Sequence, residues 1–130
     1  MLGRLLVKTI KALGVENKDI NLKENNIFIN KLKICGMAAH IRYDRSLVHA
    51  SILVESNLER LRSSLKKLKY PVINLTEIVN TNINSFIEAF RKIIQEDYKV
   101  VEEAEIKVSE VNQASNIYLE KYTSKKWNIL

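Results

Sequence analysis

The stretch Asn25–Glu55 reads NNIFINKLKICGMAAHIRYDRSLVHASILVE, and the fold is decided there. Ile27-Phe28-Ile29 is a compact apolar run between two polar pairs, Asn25-Asn26 and Asn30-Lys31, which read as turns. From Leu32 to Tyr43 the residues are short, apolar or β-tolerant, and they predict a strand. From Leu47 to Glu55 the side chains alternate: Val48, Ala50, Ile52 and Val54 face one way, Leu47, His49, Ser51 and Leu53 the other. That period of two belongs to a strand. Asp44-Arg45-Ser46 would turn the first strand into the second as a hairpin.

Helices flank this region. Leu2, Leu5, Leu6, Ile10 and Leu13 recur at helical spacing, and Gly14 stops the helix, which spans Leu2 to Leu13. Ile20 and Leu22 mark a further short extended piece. Ser56-Asn57-Leu58-Glu59 matches a capping box, and Leu58, Leu61, Leu65 and Leu68 form one stripe, so a helix is expected from Asn57 to Lys67. Tyr70-Pro71 ends it, because the residue before a proline avoids the helical region. Asn82 or Ser85 caps the next helix, which buries Ile83, Phe86, Ile87, Phe90, Ile93 and Ile94. Tyr98 to Val108 reads as a strand with an acidic outer face, and Val111 to Tyr122 as a helix of poorer periodicity. No internal repeat or linker stands out. The order predicts an α+β fold with helices packed on a mixed, largely antiparallel sheet.

With 130 residues, 46% of them hydrophobic, the chain suits one domain with a real core and excludes an intrinsically disordered class. No apolar run approaches the ~20 residues of a membrane span, and the opening Met1–Lys8 is too short and too charged for a signal peptide. A single Cys35 builds neither an internal disulfide nor a cysteine metal cage, which points to the reducing cytoplasm. The net charge is +6, unevenly spread: Arg60, Arg62, Lys66, Lys67 and Lys69 stand in ten residues without an acid, while Glu96–Glu110 is acidic. A basic surface attracts nucleic acid, an anionic ligand or an acidic protein, and equally serves as a solvated helix face. Nucleic acid is the weakest of these, since no helix-turn-helix or aromatic platform accompanies the basic run.

Lys33 stands at the start of a strand among small residues, where its ammonium could reach a carboxylate or phosphate; Gly36, Ala38 and Ala39 would let a ligand approach the backbone. The plain alternative is an exposed lysine with a bulge at Gly36. His49 lies on a strand face and His40 in its partner strand; two histidines without carboxylates make a poor metal site, and packing is their ordinary role. Cys35 reads as buried packing, since nothing in the sequence places a base beside it.

Asn25-Asn26-Ile27…Lys31-Leu32-Lys33-Ile34-Cys35-Gly36-Met37-Ala38 resembles the N-D-[ILV]…K-[IV]-s-G-s-A signature of lipoate–protein ligases. Val48-His49-Ala50-Ser51-Ile52-Leu53 is similar to that family's H-G-[ST]-[IL]-L strand, Leu58…Leu61…Leu65 to the helix after it, Val72-Ile73-Asn74-Leu75-Thr76-Glu77 to its V-x-N-L-x-E, and Trp127-Asn128 to its terminal W-N. The resemblance implies half of a biotin/lipoate ligase catalytic domain over residues 1–130. It implies a reaction in which ATP, with Mg2+ assisting, converts lipoate to lipoyl-adenylate before transfer to a lysine of an acidic acceptor domain. By this resemblance Lys33 is the essential lysine, Asn25 and Asn26 meet the nucleotide and, through Asn26, the metal, and Gly36, Ala38, His40, His49 and Ala50 line the lipoyl pocket.

Departures from the family pattern shape the expectation. Asn26 stands in place of an aspartate that Mg2+ would favour, Ala50 in place of a glycine, and Cys35 in place of a serine. The family's Arg- and Gly-rich segment lies upstream of what aligns, so the chain corresponds to the C-terminal half of the domain. A second chain would supply the other half, and this one would expose an apolar sheet edge where that half packs. The alternative is a non-catalytic remnant or interaction module of the same fold. Thioester-using octanoyltransferases carry a cysteine at the position of Ser46, and biotin ligases follow their lysine with G-I-L where this chain has Gly36-Met37-Ala38-Ala39, so lipoate is the better match.

Overall fold

A computed structural model describes residues 1–16, 19–44, 46–98, 101 and 104–128. The chain divides into two compact units, Met1–Val100 and Val101–Leu130.

The first unit is a four-stranded antiparallel sheet in the order β1-β2-β3-β4, formed by β1 (Ile20–Lys23), β2 (Asn26–Ile29), β3 (Leu32–Ile41) and β4 (Ser46–Ile52). Among the described residues, one isolated parallel bridge, Lys33 to Val72, makes it mixed. Helix α1 (Leu2–Ala12) buries Leu5, Leu6, Thr9 and Ile10, the face that its apolar spacing predicts. Gly14, at φ 105, ends it in a conformation that only glycine adopts cheaply. Ile27, Ile29, Ile34 and Cys35 supply the sheet's side of the core, Leu6 and Ile10 the side of α1. Helix α3 (Ile83–Asp97) is capped by Asn82, whose side chain accepts from Ser85 N at 2.9 Å, and adds Phe86. Lys8 of α1 pairs with Asp97 of α3.

Both tight hairpins turn through pairs with positive φ: Glu24-Asn25 and Asn30-Lys31. The first turn therefore lies one residue before the expected Asn25-Asn26, and Asn26 already pairs with Gly36. The predicted strand Leu47–Glu55 is the shorter β4; past it, Leu53 N donates to Ile34 O, and Leu53 O and Val54 O accept from Leu75 N and Thr76 N. At the β3–β4 tip both faces are open to solvent: Leu47 and Val48 are exposed on the edge strand β4, and Ile41 and Tyr43 are exposed at the end of β3 and just past it. The expected exposed apolar edge is therefore present.

Three sequence expectations are corrected. The cap of α2 (Leu58–Ser64) is Asn57, not Ser56: Asn57 Oδ1 accepts from Arg60 N at 2.8 Å. That helix stops at Ser64 rather than Lys67. Ser63 Oγ and Ser64 Oγ bond back to Arg60 O, a competition with the helix ladder that favours termination, and Leu65 is extended. The predicted strand Tyr98–Val108 is not formed by its described residues. Tyr98 N caps α3 on Ile94 O, and Glu110 Oε2 accepts from Lys107 N to start α4 (Val108–Ile117). Lys99, Val100, Glu102 and Glu103 lie outside the described residues.

The second unit holds α4, a π-helical turn at Tyr118–Tyr122 and α5 (Lys125–Asn128). Its helix thus starts three residues before the expected Val111. Tyr122 and Trp127 meet edge to face at 5.0 Å, and Asn128 Nδ2 donates to Tyr122 O at 2.7 Å. Among the described residues no helix is long and apolar enough to cross a membrane.

Candidate functional site

An irregularity in β3 builds the site. Ile27 pairs with Cys35 and the next residue, Phe28, with Lys33, so Ile34 is an extra residue in the ladder. Such a bulge re-aims the side chains on either side of it. In a regular strand Lys33 and Gly36, three apart, would face opposite ways. Here each shares a face with its cross-strand partner, Lys33 with Phe28 and Gly36 with Asn26, and Phe28 and Asn26 lie on one face of β2. The sequence alternative placed the bulge at Gly36; it falls at Ile34.

The result is a close convergence over a bare backbone. A Cβ on Gly36 would lie 3.2 Å from Lys33 Nζ, 3.4 Å from Lys33 Cε and 3.6 Å from Asn26 Oδ1. The Lys33 ammonium therefore crowds the space that a side chain at position 36 would take and would have to give way by a few tenths of an ångström. Asn26 Nδ2 donates to Glu24 O at 2.7 Å, which aims its Oδ1 toward Gly36. The backbone of Lys33 is held on its far side: its N–H donates to Pro71 O at 2.8 Å, and its carbonyl accepts from Ile73 N at 3.2 Å.

A cleft of about 240 Å³ opens beside Lys33. Leu53, Leu61, Leu68 and Val72 give it an apolar lining, while Lys33, Lys69, Ser51 and Tyr70 give it a polar margin. The Tyr70 ring lies 6.0 Å from Lys33 Nζ and 5.1 Å from Lys69 Nζ, and meets Phe28 edge to face at 5.2 Å. A hydrogen bond with Tyr70 pushes the Lys69 pKa up. An apolar slot with cations beside it suits a molecule with an apolar body and an anionic head. Cys35 also borders the cleft, but burial pushes its thiol up to about 11, against the pull of Lys33. It is therefore a neutral packing residue near pH 7, as its isolation in the sequence suggested.

The other predicted residues divide by face. Gly36 pairs with Ser51, Ala38 with His49, and His40 with Leu47, so all of these share the face of Lys33. Ala38, His40 and His49 lie toward the hairpin tip and are exposed, and His40 Nε2 accepts from Arg42 Nε at 3.1 Å. Ala50 does not join them. It pairs with Met37 on the opposite face and packs against the core. Asn25 sits in the turn at φ 58, and its carbonyl accepts from Met37 N at 2.8 Å. For a metal, Asn26 offers one neutral oxygen, and no group of three His, Cys, Asp or Glu gathers among the described residues. These residues do not by themselves form a Mg2+ site.

Sequence reasoning missed Ser51, Lys69 and Tyr70. The signal for the last two was present in Lys69-Tyr70-Pro71, an aromatic beside a cation at a forced break, but it served only to end a helix. The V-x-N-L-x-E match proves structural. Asn74 is buried; its Oδ1 accepts from Ser56 N at 2.9 Å and its Nδ2 donates to Ser56 O at 2.8 Å. Glu77 Oε1 accepts from Asn74 N at 2.9 Å, and Leu75 is fully buried.

Comparison with known proteins places this geometry. The profile of the lipoyl protein ligase A/B catalytic domain matches residues 1–98. The chain is 25% identical to lipoate-protein ligase A subunit 1 of Thermoplasma acidophilum, over 98% of this chain and 57% of that protein. A T. acidophilum protein solved with bound lipoic acid superposes with a TM-score of 0.81 at 26% identity, over 95% of this chain and 54% of the other. A lipoate-protein ligase A solved with ATP superposes with a TM-score of 0.76 at 25% identity, over 98% and 57%. The chain thus spans a little over half the length of these relatives.

Proposed function

We propose a function from one premise: this chain belongs to the lipoyl protein ligase A/B catalytic domain family. In our reading it is the part of a lipoate–protein ligase that carries the catalytic lysine. The domain is completed by a further segment corresponding to the rest of the relatives' length. We propose that a separate chain supplies that segment; in the relatives both stretches lie on one chain.

One observation carries the reading: the Lys33 ammonium and Asn26 Oδ1 both converge on the bare backbone of Gly36, at the margin of an apolar cleft. In the reaction we propose, the carboxylate of lipoate attacks the α-phosphorus of ATP and pyrophosphate leaves. The ε-amine of an acceptor lysine then attacks the acyl carbonyl and AMP leaves. Both steps develop negative charge on oxygens near one point, and a fixed cation there lowers both barriers. Lys33 fills that role, Asn25 and Asn26 stand at the nucleotide side, and the apolar cleft takes the lipoyl chain. Gly36, Ala38, His40 and His49 flank it on the same sheet face. Mg2+ accompanies the nucleotide in the family scheme, but no step is assigned to it here. We place the protein in the cytoplasm, which the single buried thiol Cys35 supports.

The test is to assemble the chain with the completing segment and measure lipoate-dependent ATP–pyrophosphate exchange and lipoylation of an acceptor domain. Lys33→Ala is expected to lower both by at least about 10²–10³-fold. An active assembly that keeps its rate with Lys33→Ala refutes the assignment. The non-catalytic reading now leans on Asn26 alone, because Ala50 faces the core. A tightly bound acyl-adenylate analogue would remove it.

A further inference from the structure

We propose that the basic run Arg60–Lys67 is a docking surface for an acidic protein domain that presents a lysine. The proposal rests on the ligase reading and names the partner of the same site.

The geometry that carries it is adjacency. Leu61 and Leu68, within and just beyond this run, line the Lys33 cleft. Arg60, Arg62, Lys66 and Lys67 stand on the same stretch and are exposed. Among the described residues none of these four forms an ion pair; the pairs found are Lys8–Asp97 and Lys23–Glu24. Four cations with no acid between them, on the segment whose Leu61 and Leu68 line the cleft, outweigh the neighbouring Glu59, raise the local concentration of an acidic partner and orient it.

The shape of the patch favours a protein over a nucleic acid. Leu65, extended and 46% exposed, stands between Arg62 and Lys66 along the chain. An apolar centre with a charged rim is how protein interfaces are built. Single-stranded nucleic acid is held on stacking aromatics. The run itself has none, and neighbouring Tyr70 is engaged edge to face with Phe28. A domain seated on Leu65 and the four cations would have its lysine within reach of the cleft.

The experiment uses the assembled enzyme carrying Arg60→Glu, Arg62→Glu, Lys66→Glu and Lys67→Glu together, with folding checked by circular dichroism. Lipoate-dependent ATP–pyrophosphate exchange reads the first half-reaction, and transfer to an apo lipoyl domain reads the second. We expect exchange to be unchanged and KM for the acceptor to rise about tenfold or more. Wild-type KM should rise with salt while that of the variant stays flat, and an acceptor with its acids reversed should be used better by the variant. An unchanged acceptor KM overturns the proposal. So does lost exchange with intact acceptor KM, or an RNA gel shift abolished by the variant while acceptor KM holds. If the wild type shows no exchange, the ligase reading fails by itself. Docking is then read by titrating the apo lipoyl domain onto both proteins, where equal affinities, or no binding to either, refute it. Should the fourfold variant misfold, Arg60→Gln with Lys66→Gln and the salt dependence of the wild type give the same readouts.

Discussion

Gly36 is where chemistry and steric exclusion meet at the scale of one residue. Its missing side chain leaves room for Lys33 Nζ, and Asn26 Oδ1 closes the third side. The nearest atoms to an added methyl belong to the far end of a flexible lysine, not to backbone. Gly36→Ala should therefore fold normally, with stability changed by less than about 1 kcal/mol. Its effect should fall on the lysine, which must move by a fraction of an ångström. Misplacement on that scale costs up to about 10²-fold, so we expect exchange activity to drop about 10–100-fold with an unchanged melting temperature. Equal activity in Gly36→Ala and wild type would mean that the observed position of the ammonium is not the working one.

At the scale of elements, Asn74 is the polar clamp on which the site's outer wall depends. Its amide completes both backbone groups of Ser56, while the following Leu75 and Thr76 pair with Leu53 and Val54. Asn74→Ala would remove both hydrogen bonds to the backbone of Ser56, which is exposed, at a cost of about 1–3 kcal/mol, and should lower the melting temperature by about 5 °C or more; a shift under 2 °C would show that water replaces the amide. This clamp also explains what the sequence could not reveal. Strands β2 to β4 and helices α1 and α3 were legible from the apolar spacing of their sequences, but the expected burial holds in α3 only for Phe86, with Phe90, Ile93 and Ile94 half-buried and Ile83 and Ile87 exposed. The bulge at Ile34 was not, because consecutive buried residues Ile34 and Cys35 look like any apolar run, and only the partner strand shows which residue is extra. Ser56 was misread as a cap because its role is set by Asn74, 18 residues away. The described residues of the expected strand Tyr98–Val108 depart from it: the apolar and acidic residues mixed there only mimic a strand pattern. The glutamate that starts the helix, Glu110, acts on a backbone group three residues back. Lys33 and Gly36 stand out from their residue types and, with a role, through the motif resemblance, but their shared face depends on the bulge and needed the structure.

At the scale of the whole molecule, the open β4 edge is the surface on which the proposed completing segment can be tested. The chain matches a little over half of its relatives' length. Its edge strand β4 presents Leu47 and Val48, and the tip presents Ile41 and Tyr43. An apolar edge strand with unpaired backbone groups invites another segment to pair with it. If the completing segment packs there, the outward amides of β4 should gain hydrogen-exchange protection of about tenfold or more on assembly, while those of β2, which is flanked by β1 and β3, should change little. Self-association of the isolated chain should fall in step, since one segment would cover the surface that drives both. Protection gained on β1 instead would move the junction to the opposite edge, and protection gained nowhere in the sheet would mean that the two parts meet through helices and that the open β4 edge serves another partner.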